Sequence, residues 1–214
     1  GEKRRLVEMV TENAALVLKE IRSREERQEQ EIAMGLIELQ EALQLTAPIR
    51  RMEAYDISNT QGSQIVASMV VLIDGRPAND QYRRFKIRTV EDGPNDYDSM
   101  KEVIRRRFER GLKERAGQTE GTKFSDFPDL VLIDGGKGQL SSAVEILKEL
   151  ELTKQPVIGL AKRLEEVFVP GESLPMTLSK TSPALKLLQR IRDEAHRFAV
   201  TFHRERRDKM TLQT

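Results

Sequence analysis

The 214-residue sequence contains no cysteine, so disulfide bonds, cysteine-ligated zinc and thiol nucleophiles are excluded. It also lacks tryptophan, and only 5% of its residues are aromatic, so stacking of bases on aromatic side chains is not the expected mode of any nucleic-acid contact. The longest apolar run, Val66 to Ile73, is too short to cross a bilayer, and the charged start has no signal-peptide pattern. We therefore expect a soluble, cytoplasmic protein that does not interact with membranes.

The sequence also has no large excess of positive or negative charge. Lysine and arginine number 36 against 35 aspartate and glutamate, and this net charge of +1 does not by itself indicate a nucleic-acid-binding protein. Local clusters of arginine nevertheless contact phosphates even in nearly neutral chains, although such clusters are also found on solvated helix faces. The clusters are Arg83-Arg84, Arg105-Arg106-Arg107 and Arg204 with Arg206-Arg207, from which we select Arg84 and Arg106 as candidate phosphate contacts.

The length and the hydrophobic content of 38% suit one α/β domain with a helical extension. Residues 1–47 are predicted to form a helix, or a pair of helices, packed on the main domain, because apolar residues recur at helical spacing on both sides of the charged stretch 22–31. Pro48 ends this extension. The main domain is then expected to span residues 48–214.

The main domain begins with three predicted strands at 50–58, 63–73 and 80–88, whose short connections indicate an antiparallel meander. Two short apolar strands, 129–133 and 156–160, alternate with helices at 96–115 and 139–150, which indicates parallel pairing. A hairpin or irregular arm is predicted at 167–178. Ser182 and Pro183 are typical of the start of the last helix. This order predicts a mixed five-stranded sheet flanked by helices, which by analogy is a ribonuclease-H-like fold.

Two of the predicted strands end in a carboxylate, at Asp56 and Asp134. Burying a carboxylate is costly, so each one needs a cation or hydrogen-bond donors. If the two strands are parallel neighbours, both carboxylates lie at the same edge of the sheet, where ligands bind in open α/β folds. Carboxylate oxygens suit Mg²⁺ or Mn²⁺, ions that assist phosphodiester displacement. The alternative is that each aspartate caps the turn that follows it.

The last helix carries the third candidate, His196, which lies one residue past the apolar position Ala195 and so flanks the buried face. An imidazole there is expected to reach the sheet edge, where it would ligate a metal ion or move a proton. Asp193 precedes it by three residues on nearly the same face and is a candidate for orienting His196 or joining the metal's outer shell. A lone histidine on a helix is more often structural or solvated.

A glycine-rich loop, Gly135 to Gly138, joins the Asp134 strand to the next helix. Its backbone N–H groups can approach an anion and Lys137 adds positive charge, although the GxxxxGK[ST] pattern of a nucleotide-binding P-loop is absent. Lys162 follows the next strand at the same predicted edge. Lys137 and Lys162 are therefore candidate phosphate contacts, with a plain surface charge as the alternative for Lys162.

Several long strings of this sequence resemble one family. AYDISNTQG, YRRFKI, DLVLIDGGKGQL, VIGLAKR and SPALKLLQRIRDEAHRFAVTFHRERR are similar to the C-terminal endonuclease domain of UvrC, the incision subunit of bacterial nucleotide excision repair, and cover most of residues 50–207. The resemblance implies a ribonuclease-H-like nuclease that cuts 5′ to a DNA lesion with Mg²⁺ or Mn²⁺. It places the family's catalytic Asp, Asp and His on Asp56, Asp134 and His196.

The resemblance also implies partners. These are damaged double-stranded DNA and UvrB, the latter bound through a segment outside this chain, and the chain itself is expected to be a monomer. Full-length members also carry a GIY-YIG nuclease domain and a C-terminal helix-hairpin-helix pair, neither of which we find, so we expect a fragment with weakened DNA binding. Two other functions stay open: a non-catalytic docking module of the same fold, and nucleotide binding by the loop at Gly135 to Gly138.

Overall fold

The computed structural model describes residues 1–59, 65–88, 95–121, 123–161 and 166–211, except for the side chains of Asn59 and of residues 202–211. The helices are α1 (Glu2–Ala42), α2 (Asp96–Arg115), α3 (Lys137–Glu149) and α4 (Pro183–Thr211). The strands are β1 (Arg51–Asn59), β2 (Ile65–Ile73), β3 (Arg76–Pro77), β4 (Arg83–Lys86), β5 (Leu130–Asp134), β6 (Val157–Leu160) and β7 (Val167–Phe168). No described helix has both the length and the apolar character needed to cross a membrane.

All seven strands belong to one mixed sheet in the order β3-β2-β1-β5-β6-β7, with β4 also paired to β2. β1 and β5 are parallel, as are β5 and β6, whereas the other pairs are antiparallel. The predicted mixed sheet is therefore confirmed, and its five predicted strands correspond to β1, β2, β4, β5 and β6. The additional strands β3 and β7 have two residues each, which is too short to leave a period in the sequence.

Helices cover both faces of this sheet. α4 packs on β1 and β2 from one side, α2 and α3 lie side by side on the other, and α1 packs on α4. Successive residues of a strand point to opposite faces, so Asp56 faces α4 while its neighbour Tyr55 faces α2. The central strands are buried on both sides, which explains the nearly continuous apolar runs of β2 and β5.

The turn after β2 shows why a glycine is needed there. Asp74 and Gly75 have φ values of 48° and 75°, a pair of positive values typical of a tight hairpin turn. A Cβ on Gly75 would also lie 2.2 Å from Cγ2 of Ile32. The turn therefore packs α1 against the sheet, which confirms the turn predicted from Asp74-Gly75.

The N-terminal extension is a single helix, and only its second half packs on the domain. Ile32, Gly35 and Leu39 are buried, whereas the apolar residues of the first half are exposed, for example Leu16 at 65%. The expected packing of the whole extension is therefore corrected for its first half, where the apolar side chains from Leu6 to Ile21 are exposed. Contacts of α1 with the main domain start at Glu29, which pairs with Arg76, and continue along α4 from Glu31 near Arg190 to Glu38 near Ser182.

The start of α4 is capped from two sides. The Leu185 N–H donates to Oγ of Ser182 at 3.2 Å, which confirms the predicted cap. Glu38 of α1 accepts hydrogen bonds from the Ser182 hydroxyl at 2.8 Å and from the Ala184 N–H at 3.0 Å. A carboxylate at this end also suits the positive end of the helix dipole. α1 thus fixes the start of the helix that carries His196.

A buried ionic cluster fixes α2 to the other face of the sheet. Arg107 and Glu53 are both fully buried, and the guanidinium donates to the two carboxylate oxygens at 2.8 and 3.1 Å. Arg51 and the Tyr55 hydroxyl donate to the same carboxylate. Arg107 also donates to the carbonyls of Phe124 and Asp126, so it holds the segment before β5 in place.

Candidate active site

Asp56 lies within β1 and not at its end. The strand continues for three residues to Asn59, paired with β2 up to Ile65, so the prediction that Asp56 ends the strand is wrong. On its other side, however, β1 pairs with β5 only as far as Tyr55 opposite Ile133. The next residues in that parallel register are Asp56 and Asp134. The two carboxylates therefore adjoin where β5 stops, as expected for a shared site at the sheet edge.

Both aspartates are buried, with 3% of Asp56 and 5% of Asp134 exposed. Asp134 is the last residue of β5. The helix that follows is capped by Gln139, whose Oε1 accepts the Gly136 N–H at 3.0 Å, so capping of α3 does not explain Asp134. Two carboxylates held at adjoining strand positions repel each other unless a cation or donors compensate them.

His196 is brought to this pair by α4. Its Nδ1 lies 3.6 Å from Oδ2 of Asp56, and 62% of the imidazole is exposed. The preceding residue, Ala195, is fully buried in the core, so the helix face that packs on the sheet sets the position of the histidine beside it. An open pocket of about 300 Å³ adjoins the imidazole and is lined by Asp134, Arg192, Asp193 and His196.

Asp56 belongs to a row of three residues that lie opposite each other on β1, β2 and β4. Asp56 is opposite Ser68 on β2, and Ser68 is opposite Arg84 on β4, so all three side chains face α4. Arg84 stacks on the Phe198 ring at 3.9 Å and donates to the Phe198 carbonyl at 3.2 Å. Arg84, which was predicted to contact phosphate, thus connects the sheet to α4 at Phe198, two residues after His196.

Glu194, two residues before His196, connects α4 to Tyr82, which directly precedes β4. It accepts a hydrogen bond from the Tyr82 hydroxyl at 2.9 Å and pairs with Arg197. The hydrogen bond from Arg197 lowers the pKa of Glu194; burial opposes this shift and the bond from Tyr82 supports it. Burial, followed by the bond to Glu194, raises the pKa of Tyr82 well above its usual range. A charged glutamate and a neutral tyrosine therefore hold this turn of the helix.

The other predicted residues are more dispersed. Asp193 accepts hydrogen bonds from Arg192 and lines the pocket with His196. Lys137 is the exposed first residue of α3. Arg106 donates to Glu102 and to the Lys86 carbonyl and lies over the Phe85 ring, on the face of the sheet opposite to Asp56. Lys162 lies outside the described residues.

Sequence reasoning missed Ser68 and the supporting residues Glu194 and Tyr82. Ser68 is buried, and its hydroxyl has no hydrogen-bond partner within the part of the chain that the structure describes. Its position one strand away from Asp56 depends on the β1–β2 register, for which a serine inside an apolar run gives no signal. Glu194 lies within the charged run beside His196, where nothing separates a supporting residue from a solvated one.

The donor set fits a divalent metal ion that keeps some of its water. Carboxylate oxygens are preferred by Mg²⁺, which is commonly held by one or two carboxylates together with waters and substrate phosphates. Asp56 and Asp134 supply two carboxylates, and His196 adds a nitrogen at 3.6 Å from the first. Among the described residues, no three histidine, aspartate or glutamate side chains lie close enough together to form a complete metal site.

Residues 40–200 match the family described as the UvrC RNase H endonuclease domain. The chain belongs to this UvrC family. The match begins in the last turn of α1 and ends just beyond His196, so it contains Asp56, Asp134 and the whole sheet.

The chain is also similar to full-length UvrC proteins. It is 51% identical over 217 residues to the UvrABC system protein C of Salinibacter ruber and 54% identical over 210 residues to that of Gloeobacter violaceus. These alignments include 100% and 97% of this chain but only 33% and 32% of the relatives. The chain therefore spans about one third of the length of these UvrC proteins.

Among solved structures, Endonuclease V of Ciona intestinalis in complex with an inosine-containing DNA has 17% sequence identity to the UvrC chain. The superposition covers 73% of this chain and 65% of that one, with a TM-score of 0.38. This likeness is too weak to support an argument about the site.

Proposed function

We propose that this chain is the part of a UvrC protein that cuts the DNA backbone 5′ to a lesion in nucleotide excision repair, with a divalent metal ion as cofactor. The observation that carries the proposal is the pair of buried carboxylates, Asp56 and Asp134, in adjoining register with His196 at 3.6 Å from the first. Membership of an endonuclease family supports the same conclusion.

In this proposal Asp56 and Asp134 hold Mg²⁺ or Mn²⁺. When bound, the ion activates a water molecule and stabilises charge on the phosphate. The strand positions of the two aspartates fix the carboxylates before DNA arrives, which favours catalysis by preorganisation. His196 is the third member of the site. Its exposed imidazole borders the pocket, where it either completes the ligand set or takes a proton from the attacking water.

The surrounding cations are proposed to contact the DNA. Lys137 at the start of α3 and Lys162, which follows β6 in the sequence, are proposed to contact phosphates. Arg84 is proposed to support α4 through Phe198 as well as to contribute positive potential. Arg106, on the far face of the sheet, stays a prediction as a DNA contact.

The substitution Asp56→Asn, placed in the full-length protein together with its repair partners, tests the proposal. It removes one carboxylate while keeping the size of the side chain, so the 5′ incision rate is expected to fall more than about 100-fold, the upper range for losing even an outer partner of a metal site. Duplex binding is expected to stay largely unchanged. The measurement is the rate of 5′ cleavage of a lesion-containing oligonucleotide.

Asp74→Asn is the matched control. It makes the same chemical change at the opposite end of the β1–β2 hairpin, in an exposed turn where asparagine tolerates the positive φ. Its incision rate is expected to equal that of the unmodified protein. Normal 5′ incision by Asp56→Asn would refute the assignment of Asp56.

A non-catalytic docking module with the same fold is the second candidate. The observation that favours it is the lack of a complete cluster of three metal-ligating side chains among the described residues. This function predicts that Asp56→Asn changes neither incision nor DNA binding, so the same experiment separates the two.

The proposed setting follows from the family. We propose that the chain acts in the cytoplasm as a monomeric domain, on damaged double-stranded DNA, within a protein that binds UvrB through another segment.

A further inference from the structure

Tyr97, near the start of α2, is the only exposed tyrosine or phenylalanine in the part of the chain whose side chains the structure describes. It is 52% exposed, whereas Tyr55 and Tyr82 are buried. Exposure of a single ring is ordinary by itself. Tyr97 differs from the other exposed apolar side chains because its ring is held against the backbone of α3, close to the carboxylate pair.

The ring is nevertheless held in place. A Cβ built on Gly138 would lie 2.5 to 2.9 Å from three atoms of the Tyr97 ring and hydroxyl, so the ring packs directly on the backbone of α3 and a larger residue there would displace it. The backbone of Tyr97 is fixed as well, because its N–H donates to the capping side chain of Asn95 at 3.0 Å. Little conformational freedom is therefore lost when a ligand stacks on the outer side of the ring.

This ring lies at the edge of the sheet that carries the active site. α2 and α3 run in the same direction, since Lys101 pairs with Glu145 and Arg105 pairs with Glu149 further along both helices. Their starts therefore meet beside the end of β5. Gly138 follows Asp134 by four residues, so their Cα atoms are at most about 15 Å apart at 3.8 Å per residue.

We propose that Tyr97 forms a base-stacking subsite for the DNA strand whose backbone is cut. This inference rests on the proposed function, because it takes the phosphate at Asp56 and Asp134 as the reference point. In this proposal, the DNA strand passes His196 on the α4 face of the sheet. It then crosses the residues that follow Asp134 and reaches Tyr97 on the face covered by α2 and α3. An unpaired base beside a lesion stacks on the ring, which is sequence-tolerant because every base has a π-face. Because the sequence has few aromatic residues, stacking is not the expected mode of nucleic-acid contact, and the proposal departs from that expectation at this one position.

The test places Tyr97→Leu and Tyr97→Phe in the full-length protein and compares them with the unmodified sequence in binding to a duplex with a short unpaired bubble. Leucine keeps apolar cover over Gly138 but removes the π-face, so affinity is expected to fall by a factor of about 5 to 150, the range for losing one stacked base. Phenylalanine keeps the ring and is expected to bind within about twofold of the unmodified chain. Met34→Ala, which removes another exposed apolar side chain far along α1, is the matched control and is expected to bind normally.

Two further measurements distinguish the loss of a stacked base from a general loss of folding in Tyr97→Leu. The fluorescence of 2-aminopurine placed beside the scissile phosphate is expected to be quenched by the unmodified chain and not by Tyr97→Leu. Gly138→Ala is expected to weaken binding by displacing the ring, and to have no added effect in the Tyr97→Leu background. Equal affinity and equal quenching for Tyr97→Leu and the unmodified chain would overturn the subsite. Normal incision by Asp56→Asn would instead overturn the proposed function, so the two failures are distinguishable.

Discussion

At the scale of single residues, neighbouring positions of β1 serve two different purposes. Glu53 and Tyr55 face α2 and take part in a closed ionic cluster with Arg107 and Arg51. Asp56, one residue later, faces α4 and the open pocket beside His196. The two-residue period of a strand thus separates a carboxylate that stabilises the fold from one that is available for chemistry.

The ionic cluster makes the stability of the protein depend on acid pH. Burial alone would raise the pKa of Glu53, but the charge and hydrogen bonds of Arg107, assisted by Arg51 and Tyr55, hold it below the usual 4.5. A carboxyl group whose pKa is lowered by folding stabilises the folded state above its unfolded pKa. That contribution is lost as the pH falls through the folded pKa.

Glu53→Gln is therefore expected to lower the free energy of unfolding by about 3–5 kcal/mol at pH 7, since it leaves the buried Arg107 without its counter-charge. The difference from the unmodified protein should shrink below about pH 4.5, where Glu53 of the unfolded chain becomes protonated. Urea denaturation at several pH values measures this. A difference that stays constant from pH 7 to pH 3 would show that the charge of Glu53 is not the cause.

At the scale of elements, α1 has two halves with different supports. The half from Ile32 to Leu39 packs on α4 and on the β2–β3 turn, and it caps α4 through Glu38. Among the described residues, the half before Glu25 has apolar side chains such as Leu16 and Val17 in water. Isolated helices are marginally stable, so this half depends on intrinsic helix propensity and contributes little to the stability of the domain.

Removal of residues 1–24 is accordingly expected to change the Tm by no more than about 2–4 °C, which corresponds to about 1 kcal/mol for a domain of this size. Removal of residues 1–38 should lower the Tm much further, because it deletes Ile32 and the Glu38 cap of α4. Differential scanning calorimetry of both truncations measures this contrast. Equal losses of Tm in the two truncations would contradict the division of α1.

At the scale of the whole molecule, periodicity in the sequence was sufficient for most of the architecture. The predicted helix 96–115 coincides with α2, and the strands 129–133 and 156–160 correspond to β5 and β6 within one residue at each end. The limits of these elements could be predicted because α2 has a clear helical period and because β5 and β6 are unbroken apolar runs. The strand expected at 80–88 is shorter, because residues 79–81 form a 3₁₀ turn before β4 begins at Arg83.

The site could be predicted only in part. Asp56 and Asp134 could be predicted because carboxylates next to apolar strands are poorly explained by packing. His196 depended on its place beside the apolar face of the last helix and on the family resemblance, and the structure brings it to 3.6 Å from Asp56. The continuation of β1 beyond Asp56, the cross-strand position of Ser68 and the contact between Tyr97 and Gly138 depend on register and on tertiary packing. Burial of Arg107 within the arginine cluster was equally invisible, because its partner Glu53 lies 54 residues earlier.

The central claim is that Asp56 and Asp134 together hold a divalent metal ion, and diffraction from crystals soaked in Mn²⁺ tests it most directly. We expect an anomalous peak between the two carboxylates at about 2 Å from an oxygen of each. A peak also bonded to a nitrogen of His196 would make the imidazole a ligand, whereas a peak without that bond would assign it the proton transfer. No peak at these carboxylates under saturating Mn²⁺ would contradict the account.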